Sequence, residues 1–497
     1  MEKLNKSLVK DFDIELKEKV LQFGEGNFLR AFVDFLIEEL NENNLFGGSV
    51  TVVQPINQGL IGMMKEQDYL YTLIERGLQN GEIVNKKRIV KSIKKGINPY
   101  EDFASYQESI KNSDLRFIVS NTTEAGITYS KEDMITDAVQ NTFPAKVTAL
   151  LHERFTAFNG DMTKGFIFIP CELIDNNGTN LHKIVLQYAD DWNLGEDFKA
   201  WVNNANYFTN TLVDRIVTGY PREEIEDLTN ELGYVDNLVD TCEIFYLFVV
   251  EAPQEIRHEL PFEKLNLNVI WTDDATNYKL RKVRILNGGH TMSICAAYLT
   301  GKDTVLEMVS DENLKEFLKG GIFEEIIPTI NLPKEELTQF ADDVLERFAN
   351  PYIKHNLLSI SLNSISKFKV RVLPSLLEYL NIKNALPKRL TFSFASLLAF
   401  YKGCKYENGV LTGIRNGAEY PISDDKEILE YFFENWKKVD VDSADSVKFF
   451  VIDVCKNTDF WDRDLTEVAG FVESVSEYLY GILNNTAEVE VSKIVKG

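Results

Sequence analysis

The chain has 497 residues, which is long for a single hydrophobic core, so we expect two domains and at most three. Hydrophobic residues make up 44% and charged residues 26% of the sequence, which is typical of a folded globular protein. Acidic residues outnumber basic residues by 77 to 53, and the net charge of −24 argues against binding to nucleic acid. A local basic pocket is still compatible with a small anionic substrate.

The cysteine pattern and the apolar runs bear on the compartment. The cysteines are Cys171, Cys242, Cys295, Cys404 and Cys455. Their odd number and isolated positions argue against a disulfide framework or a zinc ribbon and suit a reducing compartment. The N-terminal segment lacks the apolar core of a signal peptide, and the runs 245–250 and 392–401 are too short to span a bilayer. We therefore expect a cytoplasmic protein that does not insert into a membrane.

Strands and helices alternate in the first half of the chain. The predicted strands are 19–23, 49–53, 115–120 and 165–169, and predicted helices include 28–40 and 146–155. Such alternation indicates an α/β fold with a parallel sheet and crossover helices. We expect this domain to comprise residues 1–242, with the boundary to the next domain between residues 240 and 280.

Helical periodicity dominates the second half of the chain. The predicted helices include 280–299, 313–318, 334–348, 375–379 and 426–437. We expect a mostly α-helical domain over residues 243–497, closely joined to the first because no Pro-, Gly- or Ser-rich linker is present.

The segment KVLQFGEGNFLRAF, 19–32, predicts a strand, a tight turn and a helix. A GxG turn at this point can hold a dinucleotide pyrophosphate on a helix N-terminus, although Leu29 replaces the third glycine of GxGxxG. Arg30 lies one turn into the helix, where it can reach an anion or a neighbouring loop. The alternative is a plain strand-to-helix turn. The expected cofactor contacts here are Gly24, Gly26, Asn27, Phe28 and Arg30.

Two further strand ends are expected to face the cofactor. After the second strand the chain reads VVQPINQG, in which Gln54 or Asn57 can hydrogen-bond a ribose but no acid or base separates NAD from NADP. After the third strand, SNTTEAG offers small polar groups for the ribose and nicotinamide, or else an N-cap by Asn121 or Thr122. The candidate contacts in this loop are Asn121, Thr122, Thr123 and Glu124.

The segment KVRILNGGH contains Lys282, Asn287 and His290. On an α-helix, His290 would lie about 80° and Asn287 about 140° from Lys282, so all three can project toward one side. A lysine, an amide and an imidazole are the groups needed to reduce a carbonyl. Gly288 and Gly289 are unfavourable inside a helix, so a substrate or another helix is expected close by. The alternative is an amphipathic helix with a surface lysine and a core histidine.

Lys282-x4-Asn287-x2-His290 resembles the active-site signature of the polyol-specific long-chain dehydrogenases, the mannitol dehydrogenase family. The segment 208–220 resembles that family's second signature, although Asn206 stands where an apolar residue is usual. The glycine turn, SNTTEAG and PCELIDNNG (170–178) are also similar. The resemblance extends over most of the chain and implies an N-terminal Rossmann-type domain followed by a largely helical C-terminal domain.

The resemblance also implies an activity. The segments VLQFGEGNFLRAFVDF, TFPAKVTALL, PCELIDNNG and KVRILNGGHT are similar to members that act on hexuronates. They imply NAD(H)-dependent interconversion of tagaturonate and altronate, with no catalytic metal. The alternatives within the family are a fructuronate reductase, a mannitol-type polyol dehydrogenase or a sugar-alcohol phosphate dehydrogenase. Two alternatives lie outside the family's reaction: a noncatalytic nucleotide-binding protein, and an isomerase or lyase that uses NAD without net consumption. The oligomeric state is left open.

By resemblance, Lys282 is the general acid and base, Asn287 holds the reacting oxygen, and His290 positions the substrate and the lysine. Asp214 is a polar residue on the substrate side, or alternatively a structural partner of Arg215.

One position departs from the family pattern. Leu173 stands where mannitol dehydrogenases have a second asparagine for the reacting oxygen. Either Asn177 takes its place or Asn287 acts alone.

A sugar acid also needs a cation for its carboxylate. The segment SKFKVR, 366–371, has three cations in six residues. Arg371 is our first choice, Lys367 the second, and Arg284, beside the catalytic lysine, the third. The alternative is a solvated basic helix face.

Overall fold

The structure is a computed structural model, and it describes residues 1–9, 12, 15–123 and 125–496. The chain forms two compact units. The N-terminal unit comprises Met1–Gly77 and Ile83–Thr276, and the C-terminal unit comprises Leu78–Glu82 and Asn277–Gly497. None of the helices within the described residues combines the length and the apolar character needed to cross a membrane.

The first 276 residues contain thirteen described strands and nine described α-helices. The strands are β1 (Lys17–Phe23), β2 (Gly48–Val53), β3 (Tyr71–Gln79), β4 (Glu82–Val90), β5 (Ile93–Ile97), β6 (Phe117–Ser120), β7 (Ile167–Pro170), β8 (Tyr207–Phe208), β9 (Asn210–Asp214), β10 (Val217–Gly219), β11 (Asp240–Cys242), β12 (Leu247–Glu251) and β13 (Val269–Thr272). The helices are α1 (Asn27–Arg30), α2 (Val33–Glu42), α3 (Ile61–Glu66), α4 (Phe103–Ser109), α5 (Phe143–Ala157), α6 (Asn177–Asp191), α7 (Glu196–Ala205), α8 (Ile225–Leu232) and α9 (Gln254–Arg257).

The main sheet of the N-terminal unit has the strand order β5-β2-β1-β6-β7-β8, and its paired strands are parallel. The order reverses between β1 and β6, and ligands of open α/β sheets bind outside the carboxyl ends of the strands at such a switch point. The predicted strands correspond to β1, β2, β6 and β7. The predicted Rossmann-type α/β fold is confirmed.

Both faces of this sheet are buried because successive side chains alternate between them. On one face, Val20 and Val50 join a core that includes the apolar side of α2. On the other face, Leu21 and Phe23 join a core built with α5, α6 and α7. The two apolar layers leave the carboxyl ends of the strands as the place for polar groups.

The predicted helix 28–40 is interrupted at Ala31 and Phe32, where the backbone of Phe32 leaves the helical region (φ −126°, ψ −81°). Two side chains from distant parts of the chain bind the backbone carbonyls at the interruption. Tyr71 donates its hydroxyl to the carbonyl of Arg30 at 2.6 Å, and Arg215 donates its guanidinium to the carbonyl of Ala31. These carbonyls therefore have partners outside the helix.

The two units divide after Thr276, which lies in the range 240–280 expected for the boundary but beyond residue 242, the expected end of the first domain. The difference arises because β12 and β13 form a sheet with β9 in the order β13-β12-β9. In addition, Phe248 and Val250 of β12 are buried in the core that contains α2. Hydrophobic burial thus keeps the segment 243–276 in the N-terminal unit.

The C-terminal unit is mostly helical, as predicted. Its α-helices are α10 (Thr276–Arg281, beginning at the boundary), α11 (Gly288–Leu299), α12 (Val305–Ser310), α13 (Glu312–Gly320), α14 (Lys334–Phe348), α15 (Leu357–Ile360), α16 (Ser364–Arg371), α17 (Leu373–Lys383), α18 (Lys388–Phe400), α19 (Lys426–Trp436), α20 (Ala444–Lys456), α21 (Thr458–Trp461), α22 (Phe471–Asn484) and α23 (Ala487–Lys496). Two further segments, Lys282–Asn287 and Gly321–Ile326, are π-helical.

A small antiparallel sheet in this unit was not expected from the sequence. It consists of β14 (Gly403–Glu407), β15 (Val410–Arg415) and β16 (Ala418–Ile422). Its two turns are Asn408-Gly409 and Asn416-Gly417, all with positive φ. Asn-Gly is the strongest short-range signal for a two-residue hairpin, so the sequence contained the evidence for this sheet.

Candidate functional site

The helix that carries Lys282 changes its geometry at this residue. Lys282–Asn287 is π-helical and lies between α10 and α11. In a π-helix the backbone bond spans five residues, so Lys282 and Asn287 are separated by one hydrogen-bonded turn and share a side of the helix. The angle of about 140° expected for an α-helix therefore does not apply. Such π segments are frequent at functional sites.

The two glycines after the π segment accommodate other helices. A Cβ at Gly288 would lie 3.2 Å from the carbonyl oxygen of Arg371, and a Cβ at Gly289 would lie 3.1 Å from the Cδ1 of Ile322. Of the two expectations, a substrate or a neighbouring helix, the structure shows the second. Gly288 also lets the carbonyl of Arg371, the last residue of α16, lie against the helix that carries Lys282.

His290 lies at the centre of the candidate substrate site. Its ring stacks on Phe348, with centroids 3.9 Å apart, and meets His355 edge-on at 5.2 Å. Among the described residues its Nδ1 has no hydrogen-bond partner. Burial lowers the pKa of His290 well below its usual range, so the ring is neutral at physiological pH. The neighbours that add to this lowering are His355, Arg347, Arg371 and Lys367.

Asn287 completes this group. Its side chain is half-buried and does not cap α11. Contact between its amide and a substrate oxygen stays a prediction. The structure thus places Asn287 on the same turn as Lys282 and three residues before His290.

Arg371 and Lys367 both lie on α16 and both influence His290. Burial lowers the pKa of the Arg371 guanidinium, and no acid among the described residues opposes that effect. Lys367 donates its Nζ to the carbonyl of Ile360 at 2.9 Å, and burial and Arg371 lower its pKa while Asp424 raises it. A half-buried guanidinium without a counter-ion is a site for an anion.

Arg284 has a partner of its own. Its guanidinium donates to the hydroxyl of Ser375 on α17 at 2.7 Å, and burial lowers its pKa while Glu378 opposes this shift. A role for Arg284 toward the substrate carboxylate stays a prediction. The structure adds His355, which the sequence showed only as a nearby residue and whose pKa burial lowers.

The glycine turn in the N-terminal unit has the form expected for a phosphate site. Gly24 has φ +122°, which favours glycine, and its N–H donates to the carbonyl of Val53 at 3.2 Å. Gly26 is exposed, and a Cβ there would meet no atom within 4 Å. Asn27 is exposed, whereas Phe28 is half-buried and stacks on Phe32. Gly26 and Asn27 are therefore open to a ligand.

Arg30 is not open to a ligand. Its side chain is 2% exposed, donates to the carbonyl of Leu238 at 2.6 Å and to Asn27, and lies 3.8 Å from Asp240. Burial raises the pKa of Asp240 to about 7, and Arg30 opposes this shift. Of the two roles expected for Arg30, the structure shows contact with a neighbouring loop.

Two other residues expected to contact the cofactor, Gln54 and Asn121, make hydrogen bonds within the protein. Gln54 is 3% exposed and holds its own loop, because its Nε2 donates to the carbonyls of Ile56 and Asn57. Asn121 donates to the carbonyl of Cys171, which leaves its side chain half-buried beside the next strand.

The carboxylate of Glu172 binds the loop after β6. The sequence analysis included Glu172 in the segment PCELIDNNG but predicted no role for it. The carboxylate of Glu172 accepts from the backbone and the hydroxyl of Thr122, at 3.0 and 3.1 Å, and burial raises its pKa. Thr123 is exposed, and Glu124 lies outside the described residues. Thr123 therefore remains exposed at the switch point, whereas the N–H and the hydroxyl of the half-buried Thr122 are bonded to Glu172.

Asp214 is the last residue of β9 and is buried. The alternative role for Asp214 was an ion pair with Arg215. The structure shows other partners for Arg215: its guanidinium donates to the carboxylate of Glu75 at 2.6 Å and to the carbonyls of Glu243 and Ala31. Asn206, at the position that departs from the family pattern, accepts from the N–H of Phe166 at 2.8 Å. A role for Asp214 toward the substrate stays a prediction.

Asn177 cannot take the place of the missing asparagine in this arrangement. Its side chain is fully buried, donates to Pro170 at 3.0 Å and accepts from the N–H of Thr211 at 3.0 Å. These bonds tie the start of α6 to β7 and β9, so no part of the amide is left for a substrate. Leu173, by contrast, is 64% exposed.

Replacing Asn177 with alanine is expected to lower the free energy of unfolding by about 3 kcal/mol, because buried partners lose their bonds. Thermal or urea unfolding would measure this. Asn180→Ala on the same helix is the control, with a change within about 0.5 kcal/mol, since its bond to the Asp175 carbonyl lies at the surface. A fall in kcat at unchanged stability would instead indicate that Asn177 contacts the substrate.

Two family models match the chain. Residues 18–264 match the mannitol dehydrogenase Rossmann domain, and residues 274–483 match the mannitol dehydrogenase C-terminal domain. The chain is 47% identical over 467 residues to an altronate oxidoreductase of Escherichia coli (strain SE11), covering 94% of each chain. An altronate oxidoreductase of Enterobacter sp. (strain 638) is 46% identical with the same coverage.

Solved structures show the same fold. D-sorbitol dehydrogenase in its substrate-free form matches with a TM-score of 0.78 and 21% identity, covering 98% of this chain and 100% of that chain. Mannitol 2-dehydrogenase of Pseudomonas fluorescens, in a ternary complex with NAD and D-mannitol, matches with a TM-score of 0.67 and 20% identity, covering 99% of each chain. The chain therefore belongs to the mannitol dehydrogenase family and is a dehydrogenase that acts on a CH–OH group.

Proposed function

We propose that the chain interconverts D-tagaturonate and D-altronate, with NAD as the hydride carrier. The observation that carries the substrate class is the half-buried guanidinium of Arg371, which has no acidic partner among the described residues and lies near His290. A protein with a net charge of −24 that gathers cations around a catalytic histidine is suited to a small anionic sugar. The 47% identity to altronate oxidoreductases supports the same substrate.

The glycine turn supports a nicotinamide dinucleotide. The positive φ of Gly24 allows a tight turn, and the open surface at Gly26 would let phosphate oxygens approach the backbone. Asn27 and Thr123 are exposed polar residues at this edge of the sheet, and they would accompany the dinucleotide. The presence of NAD in the structure of mannitol 2-dehydrogenase agrees with this assignment. When bound, the nicotinamide supplies or accepts the hydride.

Lys282 would act as the general acid and base. In reduction its ammonium gives a proton to the carbonyl oxygen of the substrate, and in oxidation the neutral amine takes a proton from the hydroxyl. Asn287, on the same π-helical turn, would donate its amide N–H to that oxygen and stabilise the negative charge that develops there. Because Asn177 is committed to its own bonds, Asn287 would fill this role without a second asparagine.

The remaining residues would hold the substrate. Because the His290 ring is neutral, one of its nitrogens can donate a hydrogen bond to a sugar hydroxyl and the other can accept one. Arg371 would bind the carboxylate with its two-pronged guanidinium, and Lys367 would add a second positive charge. His355, which meets His290 edge-on, would complete the wall on this side.

The test is the oxidation of NADH, followed by absorbance, with tagaturonate, fructuronate and fructose offered separately. We expect tagaturonate to give the highest kcat/KM, and fructose, which lacks a carboxylate, to give the lowest. A preference for fructuronate would keep the reaction and change the substrate. A preference for fructose would contradict the carboxylate site, and binding of NADH without any turnover would favour a noncatalytic protein.

A further inference from the structure

A cavity of about 550 Å³ lies at the carboxyl ends of β2 and β5. Gln54 directly follows β2, Asn98 directly follows β5, and both residues line the cavity. Because β1 and β2 are parallel neighbours, the cavity and the glycine turn lie at the same edge of the sheet. In sheets of this topology a residue after the second strand contacts the ribose of the adenosine half, and Gln54 stands at that position.

The side-chain amide of Gln54 has a fixed orientation. Its Nε2 donates to the carbonyls of Ile56 and Asn57, at 3.0 and 3.2 Å, in the loop that follows β2. An amide nitrogen carries two hydrogens, so both donors are used. The reverse orientation would place the Oε1 against two carbonyl oxygens, which cannot donate. The loop therefore makes Gln54 offer its oxygen, and not its nitrogen, to a further partner.

The Oε1 of Gln54 is open to the cavity. It accepts no hydrogen bond from the described residues, and it keeps some contact with solvent although the side chain as a whole is only 3% exposed. Gly59 also lines the cavity, and a Cβ at this residue would lie 2.5 Å from the Oε1. A larger residue at position 59 would therefore cover the oxygen, whereas glycine leaves it accessible to a donor.

The charges that line the cavity do not decide what binds there. Among the described residues that line it, the charged ones are two lysines and two acids: Lys65, Lys95, Glu101 and Asp102. Because these charges balance, the choice between a ribose hydroxyl and a 2′-phosphate depends on hydrogen bonding at Gln54. A hydroxyl can donate to the Oε1, whereas an ionised phosphate carries only acceptor oxygens.

We propose that Gln54 selects NAD over NADP: its Oε1 accepts a hydrogen bond from the 2′-hydroxyl of the adenosine ribose and disfavours a 2′-phosphate, which has no hydrogen to donate. A neutral amide thus takes the place of the acid that many NAD enzymes have here. The proposal rests on the dinucleotide site of the proposed function and deepens it, because the sequence alone left NAD and NADP undecided.

The first measurement uses the unmodified protein. The affinities for NADH, for NADPH and for an NADH analogue that lacks the adenosine 2′-hydroxyl are determined by fluorescence titration, without turnover. We expect NADH to bind about fivefold more tightly than the deoxy analogue, because one hydrogen bond between neutral groups is worth about this factor. NADPH is expected to bind at least about tenfold more weakly than NADH, since its phosphate oxygens would face the Oε1. Equal affinities for NADH and the deoxy analogue, or a preference for NADPH, would overturn the proposal.

The second measurement repeats the titrations with two variants of Gln54. Gln54→Met removes the acceptor, so NADH and the deoxy analogue are expected to bind equally well. Gln54→Glu keeps an acceptor but loses the N–H groups that hold the loop, and it is expected to retain at least the wild-type preference for NADH over both other ligands. Gln58→Met is the matched control, because Gln58 is an exposed glutamine of the same loop that lines the same cavity. It is expected to keep the wild-type ratios.

The outcomes separate this proposal from the one on which it rests. Loss of the preference in both Gln54 variants would mean that Gln54 only holds its loop, and it would reject the selecting role. Wild-type ratios in Gln54→Met, or the same changes in Gln58→Met, would also reject it while leaving the dinucleotide site in place. Failure of the unmodified protein to bind NADH or NADPH would reject the dinucleotide site itself. If the Gln54 variants do not fold, the titrations of the unmodified protein still decide whether the 2′-hydroxyl is bound.

Discussion

Lys282→Ala is expected to lower kcat/KM for the reduction of tagaturonate by roughly 10²–10⁴-fold, because the reaction loses the group that gives a proton to the carbonyl oxygen. The loss is expected mainly in kcat, since the amine acts on the oxygen whose charge changes during the reaction. NADH binding, measured by fluorescence titration, is expected to stay unchanged because the dinucleotide site belongs to the N-terminal unit. Steady-state kinetics in both directions would measure the effect.

Two controls sharpen this experiment. Lys315→Ala removes an exposed lysine of α13 and is expected to retain wild-type kinetics. Added methylamine is expected to restore part of the activity of Lys282→Ala, because a small amine can enter the space of the missing side chain and carry the proton. Near-normal kcat in Lys282→Ala would contradict the acid and base role. A loss of folded protein, seen by circular dichroism, would point to a structural role instead.

Arg371→Leu is expected to raise KM for tagaturonate about 10²-fold, because the substrate carboxylate loses a charge-assisted, two-pronged partner. Leucine keeps much of the apolar bulk of the side chain, so the packing of α16 against Gly288 should persist. Arg371→Lys keeps the charge but not the fork, and an intermediate KM is expected. Steady-state kinetics with tagaturonate and with a neutral ketose would separate carboxylate binding from a general effect.

The matched control is Lys369→Leu on the same helix. Its Nζ lies 3.1 Å from Asp462 and is absent from the groups that influence His290, so KM is expected to change little. A similar rise in KM for Arg371→Leu and Lys369→Leu would mean that the total positive charge of α16 attracts the substrate, without a specific contact from Arg371. An equal effect of Arg371→Leu on a neutral ketose would reject the carboxylate role.

Several features of this protein followed from its sequence because they depend on local pattern. The alternation of apolar residues predicted β1, β2, β6 and β7, and the glycine spacing predicted the turn at Gly24, whose φ of +122° suits glycine. The order Lys282, Asn287, His290 indicated the chemistry. The two Asn-Gly turns of the small sheet are equally local signals for hairpins. They lie in a half of the chain where helical periodicity dominates, which favoured a mostly helical prediction there.

Other features were decided only by tertiary structure. The same types of polar residue, Arg30, Asn177 and Arg371, were all expected at the site, yet only Arg371 keeps its group without a committed partner among the described residues. Sequence shows which groups a side chain carries but not which distant carbonyls or carboxylates will meet it. Arg30, for example, meets the carbonyl of Leu238.

The same limit explains what the sequence did not indicate. His355 becomes a candidate only when the chain brings it to His290. The π-helical turn at Lys282 follows no local pattern that propensities describe, and other helices lie against Gly288 and Gly289 directly after it. The sequence by itself thus determined the fold class of the two units and supplied the candidates for the reacting groups. Long-range burial and hydrogen bonding decided which polar side chains remain available to a ligand, because a buried polar group takes whatever partner the fold provides.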